Sequence, residues 1–169
     1  MTKAILTLLT ASLLCGTIFE ISSAAAADVK VTWTEPNKYR DINAGTEGKQ
    51  RFRKNTFEAL EKHLIKLAKA LPESQLLEIE VTDVDLAGDV RVSGMRDIRV
   101  IKDLYFPRMA FSFKLINVEN VTIHSDIVNL KDMNFLMGPR LRYRNKLLGY
   151  EKSLLDDWFK HAFVNFVIK

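Results

Sequence analysis

The chain has one cysteine, Cys15, and beyond it none to form a disulfide, ligate a soft metal or act as a thiol nucleophile. Seven glycines and four prolines among 169 residues leave no room for a glycine-rich phosphate cradle or a long proline-rich linker. HExxH, GxSxG, Ser-x-x-Lys and phosphate-loop patterns are missing, and there is no internal repeat. The three histidines are widely separated: His63 on the flank of an expected helix, His124 at a polar position of an expected strand and His161 late in an expected helix. Neither a metal centre nor a cofactor is expected. Without disulfides, stability must come from an apolar core, for which the length suffices.

What is present begins with a leader-like segment. Lys3 supplies a positive start, Ala4 to Ile18 is apolar, and Ala24 to Ala27 offers small residues ahead of Asp28. The apolar run falls short of the about 20 residues that a membrane span needs. Residues 1–27 are therefore expected to be a cleaved signal peptide, with an uncleaved membrane anchor as the alternative. Leu14 stands immediately before Cys15, where a lipoprotein signal wants a small residue, so lipidation is not expected. Residues 28–169 then form a single domain that does not span a membrane. Cleavage removes Lys3 and Glu20, leaving 24 basic and 20 acidic residues and an unchanged net charge of +4. That mild excess permits attraction to an anionic surface and is too diffuse for nucleic-acid recognition.

Hydrophobic period orders the rest. Val29, Val31 and Trp33 alternate with polar residues, a strand pattern ended by Glu35-Pro36. From Arg51, Phe57, Leu60, Leu64, Leu67, Ala68 and Leu71 recur at helical spacing until Pro72. Ile98, Val100 and Ile101 make a short apolar element. Met109, Phe111, Phe113 and Leu115 alternate as a strand, and the turn Asn117–Asn120 joins it to another that runs toward Leu130. A final helix places Leu154, Leu155, Trp158, Phe159 and Phe163 on one face and Glu151, Lys152, Asp156, Asp157 and Lys160 on the polar side. The expected class is α+β, two amphipathic helices packed on a mixed or mainly antiparallel sheet of about four to five strands.

The stretch "VTDVDLAGD", Val81 to Asp89, breaks the strand pattern that precedes it. Leu77, Ile79 and Val81 share one parity, yet Val84 and Leu86 fall on the other. A continuous strand would drive Asp83 and Asp85 into the core, so a bulge or turn near Thr82-Asp83 is expected. An EF-hand calcium loop fails here, because Ala87 occupies the fifth position and Gly94 the bidentate twelfth. Two readings of the aspartates stand. In one they accept backbone N–H bonds in a structural turn. In the other Asp83 and Asp85, about 7 Å apart on one strand face, act as acid and base, with Asp132 as a third candidate carboxylate.

A second local feature is "RLRYRNKLLGY", in which Arg140, Arg142, Arg144 and Lys146 alternate with other residues. In extended form the four cations share a face, suited to an acidic partner, phosphates or a membrane surface. The same alternation also marks an edge strand guarded against aggregation.

"EPNKYRDI", "VTDVDLAGD", the Pro107-Arg108 pair, "LKDMNFL" and "YEKSLLDDWFKHAF" together resemble the uncharacterised bacterial family called domain of unknown function 3016. The resemblance implies an exported bacterial protein and brings no activity or catalytic residues. The expectation is a periplasmic envelope protein, with secretion or an uncleaved anchor as alternatives. It is expected to act as a non-enzymatic binding or accessory module on an envelope protein or anionic surface, without nucleic acid. A carboxylate-dependent hydrolase using Asp83 and Asp85 is the alternative.

Overall fold

The computed structural model describes residues 27–45, 48–94, 96–137, 143 and 146–167. Of the expected signal peptide, only Ala27 falls among them. Strand β1 (Asp28–Trp33) turns Val29, Val31 and Trp33 toward the core and the intervening residues to solvent. Helix α1 (Lys49–Ala68) buries Leu60, His63, Leu64 and Ala68. Its outer face carries the exposed Lys54–Glu58 and Lys62–Glu58 pairs, each worth only tenths of a kcal/mol by the usual scale, about 0.2–0.5. Leu71 is fully buried after the helix ends, so the apolar stripe outlasts the helical backbone that Pro72 forbids.

Five further strands and a second helix follow: β2 (Leu76–Asp85), β3 (Asp89–Ser93), β4 (Arg96–Val100), β5 (Arg108–Ile116), β6 (Thr122–Lys131) and α2 (Gly149–Ala162). The main sheet has the order β1-β2-β5-β6, and β3 with β4 makes a separate two-stranded sheet. β1 runs parallel to β2, and the β2–β5 and β5–β6 pairs are antiparallel. Parallel neighbours need a crossover, and α1 supplies it. Two helices on a mainly antiparallel sheet make the class α+β, as the periodicity indicated.

Both helices lie on one side of the main sheet. Leu77, Ile79, Val81 and Val84 of β2 and Met109, Phe111, Phe113 and Leu115 of β5 form one cluster with Leu60, Leu64, Leu155, Trp158, Phe159 and Phe163. Trp158 meets Phe111 edge-to-face at 4.8 Å, and Phe113 packs on Phe163 at 5.3 Å. Aromatic contacts of this kind contribute beyond the area they bury. The opposite side has no helix among the described residues, and there Lys30, Glu78 and Lys114 face each other across three strands.

The break in alternation is a bulge. Val81 stands opposite Phe111 and Asp83 opposite Ala110, so Thr82 is the extra residue. Val84 and Leu86 stay in the core, while Asp83 and Asp85 turn to the open side with Ala110 and Arg108. The β3–β4 hairpin was not evident in the sequence beyond Ile98 and Val100. Two side chains also depart from expectation. His124 sits opposite Leu115 and stacks on Phe166 at 5.1 Å, toward the helices rather than at a polar position. Glu151, assigned to the solvated side of the last helix, is buried at 2 % exposure.

Candidate functional site

Asp83 and Asp85 come together at the end of β2 in a cluster of alternating charge. After β1 the chain leaves the sheet at Glu35, whose φ is 49°, and rejoins it at Asp41. The Asp41 N–H donates to the Val84 carbonyl and the Leu86 N–H to the Asp41 carbonyl, both at 3.1 Å. One residue earlier, the Arg40 N–H donates to Asp83 Oδ1 at 2.8 Å. The carboxylate thus satisfies a backbone donor of the returning chain.

The Arg40 guanidinium spans both aspartates, with Nη2 at 3.8 Å from Asp83 Oδ2 and Nη1 at 3.9 Å from Asp85 Oδ2. Arg108 Nε lies 3.6 Å from the same Asp85 oxygen, and its guanidinium rests 4.2 Å above the Phe106 ring. At such separations Asp85 has ion pairs without hydrogen bonds. Burial therefore prevails and pushes the Asp85 carboxyl above its ordinary range, with Arg108 and Arg40 offsetting only part of the effect. Beside them the buried Tyr39 hydroxyl donates to the Val81 carbonyl at 2.7 Å. Burial, reinforced by Asp83, takes that phenol up to about 12.

Asp132 does not join this pair. Lys131 is opposite Arg108, which is opposite Asp85, so Asp132 lies about 10 Å away, two strand spacings. Its N–H donates to the Pro107 carbonyl at 3.2 Å, and its Oδ1 accepts the Asn134 N–H at 3.1 Å, which shapes the turn after β6.

A half-buried arginine and a buried glutamate hold the turn between β2 and β3. Arg99 Nη1 donates to Asp41 Oδ2 at 3.0 Å and to the Gly88 carbonyl at 2.9 Å, and Nη2 reaches the Asn43 carbonyl at 3.1 Å. From the helix side Glu151 Oε1 accepts the Ala87 N–H at 2.8 Å. Burial raises the Glu151 carboxyl above its ordinary value, with the Ala87 bond opposing. The available signal was position: Glu151 is the third residue of α2, where a carboxylate sits near free N–H groups and the positive end of the helix.

The third polar cluster links the helices. His63 Nε2 lies 2.8 Å from Asp156 Oδ1, and the Tyr143 hydroxyl donates to Asp156 Oδ2 at 2.6 Å. A His–Asp pair becomes catalytic when its second ring nitrogen faces a nucleophile. Here a backbone hydrogen bond at Lys152 also engages the His63 ring. The arrangement reads as a fastening between α1 and α2.

On the open side of the sheet, Lys30, Thr32, Glu78, Glu80, Ser112 and Lys114 line a shallow depression of about 280 Å³. Lys30 pairs with Glu78 at 2.9 Å and Thr34 donates to Glu80 at 2.8 Å, so much of its polarity is internally matched. Lys146 is exposed, with Nζ 5.8 Å from the centre of the Tyr143 ring. Arg140, Arg142 and Arg144 lie outside the described residues. Among the described residues no group of three or more His, Cys, Asp or Glu side chains is placed to hold a metal ion. No described helix is long and apolar enough to cross a membrane.

A family model described as "Protein of unknown function (DUF3016)" matches residues 27–161. The chain belongs to this family. The DUF3016 match spans the Asp83–Asp85 bulge, the Arg99 and Glu151 clamp and the His63–Asp156 link, so all three lie inside the family domain. No curated protein and no solved structure matches the chain.

Proposed function

We propose that this DUF3016 protein is an exported, periplasmic component of a bacterial envelope and works as a non-enzymatic binding or accessory module. The observation that carries the non-enzymatic reading is the engagement of Asp83 and Asp85. Arg40 bridges them, Arg108 flanks Asp85, and Asp83 spends an oxygen on the Arg40 N–H. A general acid and base acting on a substrate need free oxygens turned toward it. Arg140, Arg142, Arg144 and Lys146 are the residues proposed to meet an anionic surface or an acidic envelope partner.

Export is supported by the coincidence of two boundaries: the small residues Ala24 to Ala27 end where β1 begins at Asp28, and the family match starts at residue 27. Secretion and an uncleaved anchor are the competing locations. Fractionation of producing cells with intact-mass analysis is expected to find a periplasmic product starting at Asp28 or a neighbouring residue. A chain that keeps Met1 and stays in the cytoplasm sinks this reading.

One observation favours a carboxylate-dependent hydrolase instead. Burial raises the Asp85 carboxyl, as it does in a general acid. That reading gains if Asp83→Ala and Asp85→Ala both prove as stable as the parent, because a structural pair would not allow it.

A further inference from the structure

A β-sheet is unfinished at its edges, where every second residue turns its N–H and C=O groups away from any neighbouring strand. The main sheet ends in β1, six residues long, on one side and in β6, ten residues long and free of proline and glycine, on the other. Two hydrogen bonds show which groups of β6 point outward. The Ile127 N–H donates to Asp126 Oδ1 at 2.7 Å rather than to β5, and the Ala110 carbonyl, opposite Asn129, accepts from the Thr82 hydroxyl of β2 at 3.2 Å. Alternation therefore sends the N–H and C=O groups of Ser125, Ile127, Asn129 and Lys131 to the free edge. Among the described residues, the Asp126 carboxylate is the one partner that any of these groups meets.

The same edge presents apolar surface. Ile127 stands opposite Ser112 on the open side of the sheet and is 79 % exposed, the highest value of any large apolar side chain among the described residues. A row of free N–H and C=O groups has one full complement, another extended strand, and the side chains of β6 complement those of β6 itself.

We propose that β6 pairs antiparallel with β6 of a second copy of the chain, about a two-fold axis at Ile127. The two Ile127 side chains then cover each other, Ser125 meets Asn129, Asp126 meets Val128 and His124 meets Leu130, so no like charges stand opposite. Neighbouring registers are worse. An axis at Asp126 sets two carboxylates against each other, and one at Val128 turns Ile127 onto Asn129. An axis at Ser125 draws in Ile123, which has no partner in β5 and interrupts the ladder. Asp126 guards the lone strand, its carboxylate holding the Ile127 N–H until the carbonyl of the second Ile127 takes its place. Each β6 is used once, so the contact closes at two copies, and two four-stranded sheets become one with all helices on the same side. The inference goes beyond the accessory-module reading and does not depend on export.

Sedimentation velocity of the purified protein over a range of concentrations tests the pairing. The parent is expected to show a monomer–dimer equilibrium, and Ile127→Lys, which sets two cations opposite each other, to raise its dissociation constant about tenfold or more. The position is exposed, so the variant should keep its circular dichroism spectrum. Leu104→Lys, at an exposed apolar residue in the turn after β4, is expected to associate as the parent does. Cross-linking reads the register, with Cys15→Ser in every chain. Across the proposed axis two Ile127→Cys residues have Cα atoms about 5.5 Å apart, within disulfide reach, whereas two Ser125→Cys residues are about 14 Å apart. Mild oxidation is expected to link the first variant and spare the second. Three results overturn the proposal: a parent that stays monomeric up to about 100 μM, an Ile127→Lys variant that associates as the parent does, or equal cross-linking of the two cysteine variants.

Discussion

The Arg40 N–H points at Asp83 Oδ1 across 2.8 Å, on a stretch of chain that rejoins the sheet one residue later. This bond joins the β1–α1 connection to the bulge in β2. Removing the carboxylate leaves a backbone donor without its acceptor, and a bond to a charged group contributes about 1.5–3 kcal/mol. The Asp83 side chain is 30 % exposed, so water compensates in part and the lower end applies. Asp83→Ala is expected to lower the urea midpoint accordingly, while Asp83→Asn, which keeps an acceptor, loses less. Equal midpoints for Asp83→Ala and the parent would contradict a structural role.

The bulge was legible because it leaves a mark in one dimension: apolar parity changes between Val81 and Val84, and only an extra residue keeps both in the core. The helices and β5 were legible for the same reason, since each buries one regular stripe, whereas β6 leaves Ile123 and Ile127 exposed and was marked by the Asn117–Asn120 turn before it. β3 was not, because in "DVRVS" its apolar residues are only Val90 and Val92. Strand order is a further step removed, as nothing local states that β1 pairs with β2 in parallel. At the candidate site the aspartates were visible and their partners were not. Arg40 and Arg108 reach Asp85 from 45 and 23 residues away in sequence, and His63 reaches Asp156 from 93. Glu151 was hidden because its polar side faces the Ala87 N–H rather than water.

Glu151 allows a prediction in which the conservative change helps. Its folded carboxyl is raised by burial, so the stability it contributes is fully present below the ordinary glutamate value of 4.5 and is lost as pH rises through the folded value. At neutral pH the ionised group is held at a cost. Glu151→Gln keeps an oxygen for the Ala87 N–H and removes the charge, so it is expected to match or exceed the parent at pH 7. Glu151→Ala orphans that N–H in a buried position and is expected to lose about 1–3 kcal/mol. Urea midpoints of the three proteins at neutral pH decide it, and a Gln variant as damaged as the Ala variant would show that the charge itself is needed.

Gly88 tests the turn that Arg99 and Glu151 hold. Its φ is +84°, and a Cβ there would lie 2.7 Å from Ile101 Cδ1 and 2.8 Å from the Val100 carbonyl oxygen. Gly94 also has a positive φ, of +60°, but a Cβ there meets nothing within 4 Å. Gly94→Ala should therefore show the conformational cost alone, about 1–2 kcal/mol, and Gly88→Ala that cost with steric displacement added. Thermal melts are expected to rank parent, Gly94→Ala and Gly88→Ala in descending order. Equal effects at the two glycines would mean that the β2–β3 turn yields freely.

His63 sets a pH dependence of the opposite sign to that of Glu151. Two influences compete at the ring: burial favours the neutral form, and Asp156 at 2.8 Å favours the charged one. Burial is the larger, and the nearby Lys152 cation adds to it, so the folded value lies below the ordinary 6.5. The unfolded chain consequently takes up a proton at His63 before the folded chain does. Stability present above 6.5 is lost as pH falls through the folded value, and the loss levels off once both states are protonated. Asp85 and Glu151 are raised and work the other way at lower pH, which makes the parent profile a sum of opposed slopes. Comparing the parent with His63→Gln removes the other groups, because they titrate in both proteins, and the Gln side chain can still donate to Asp156. The parent is expected to lose stability relative to His63→Gln as pH is lowered from about 7.5 toward 5.5, measured by urea unfolding at each pH. If the parent instead gains on the variant over that range, His63 is protonated in the fold and its link to Asp156 is an ion pair that outweighs burial.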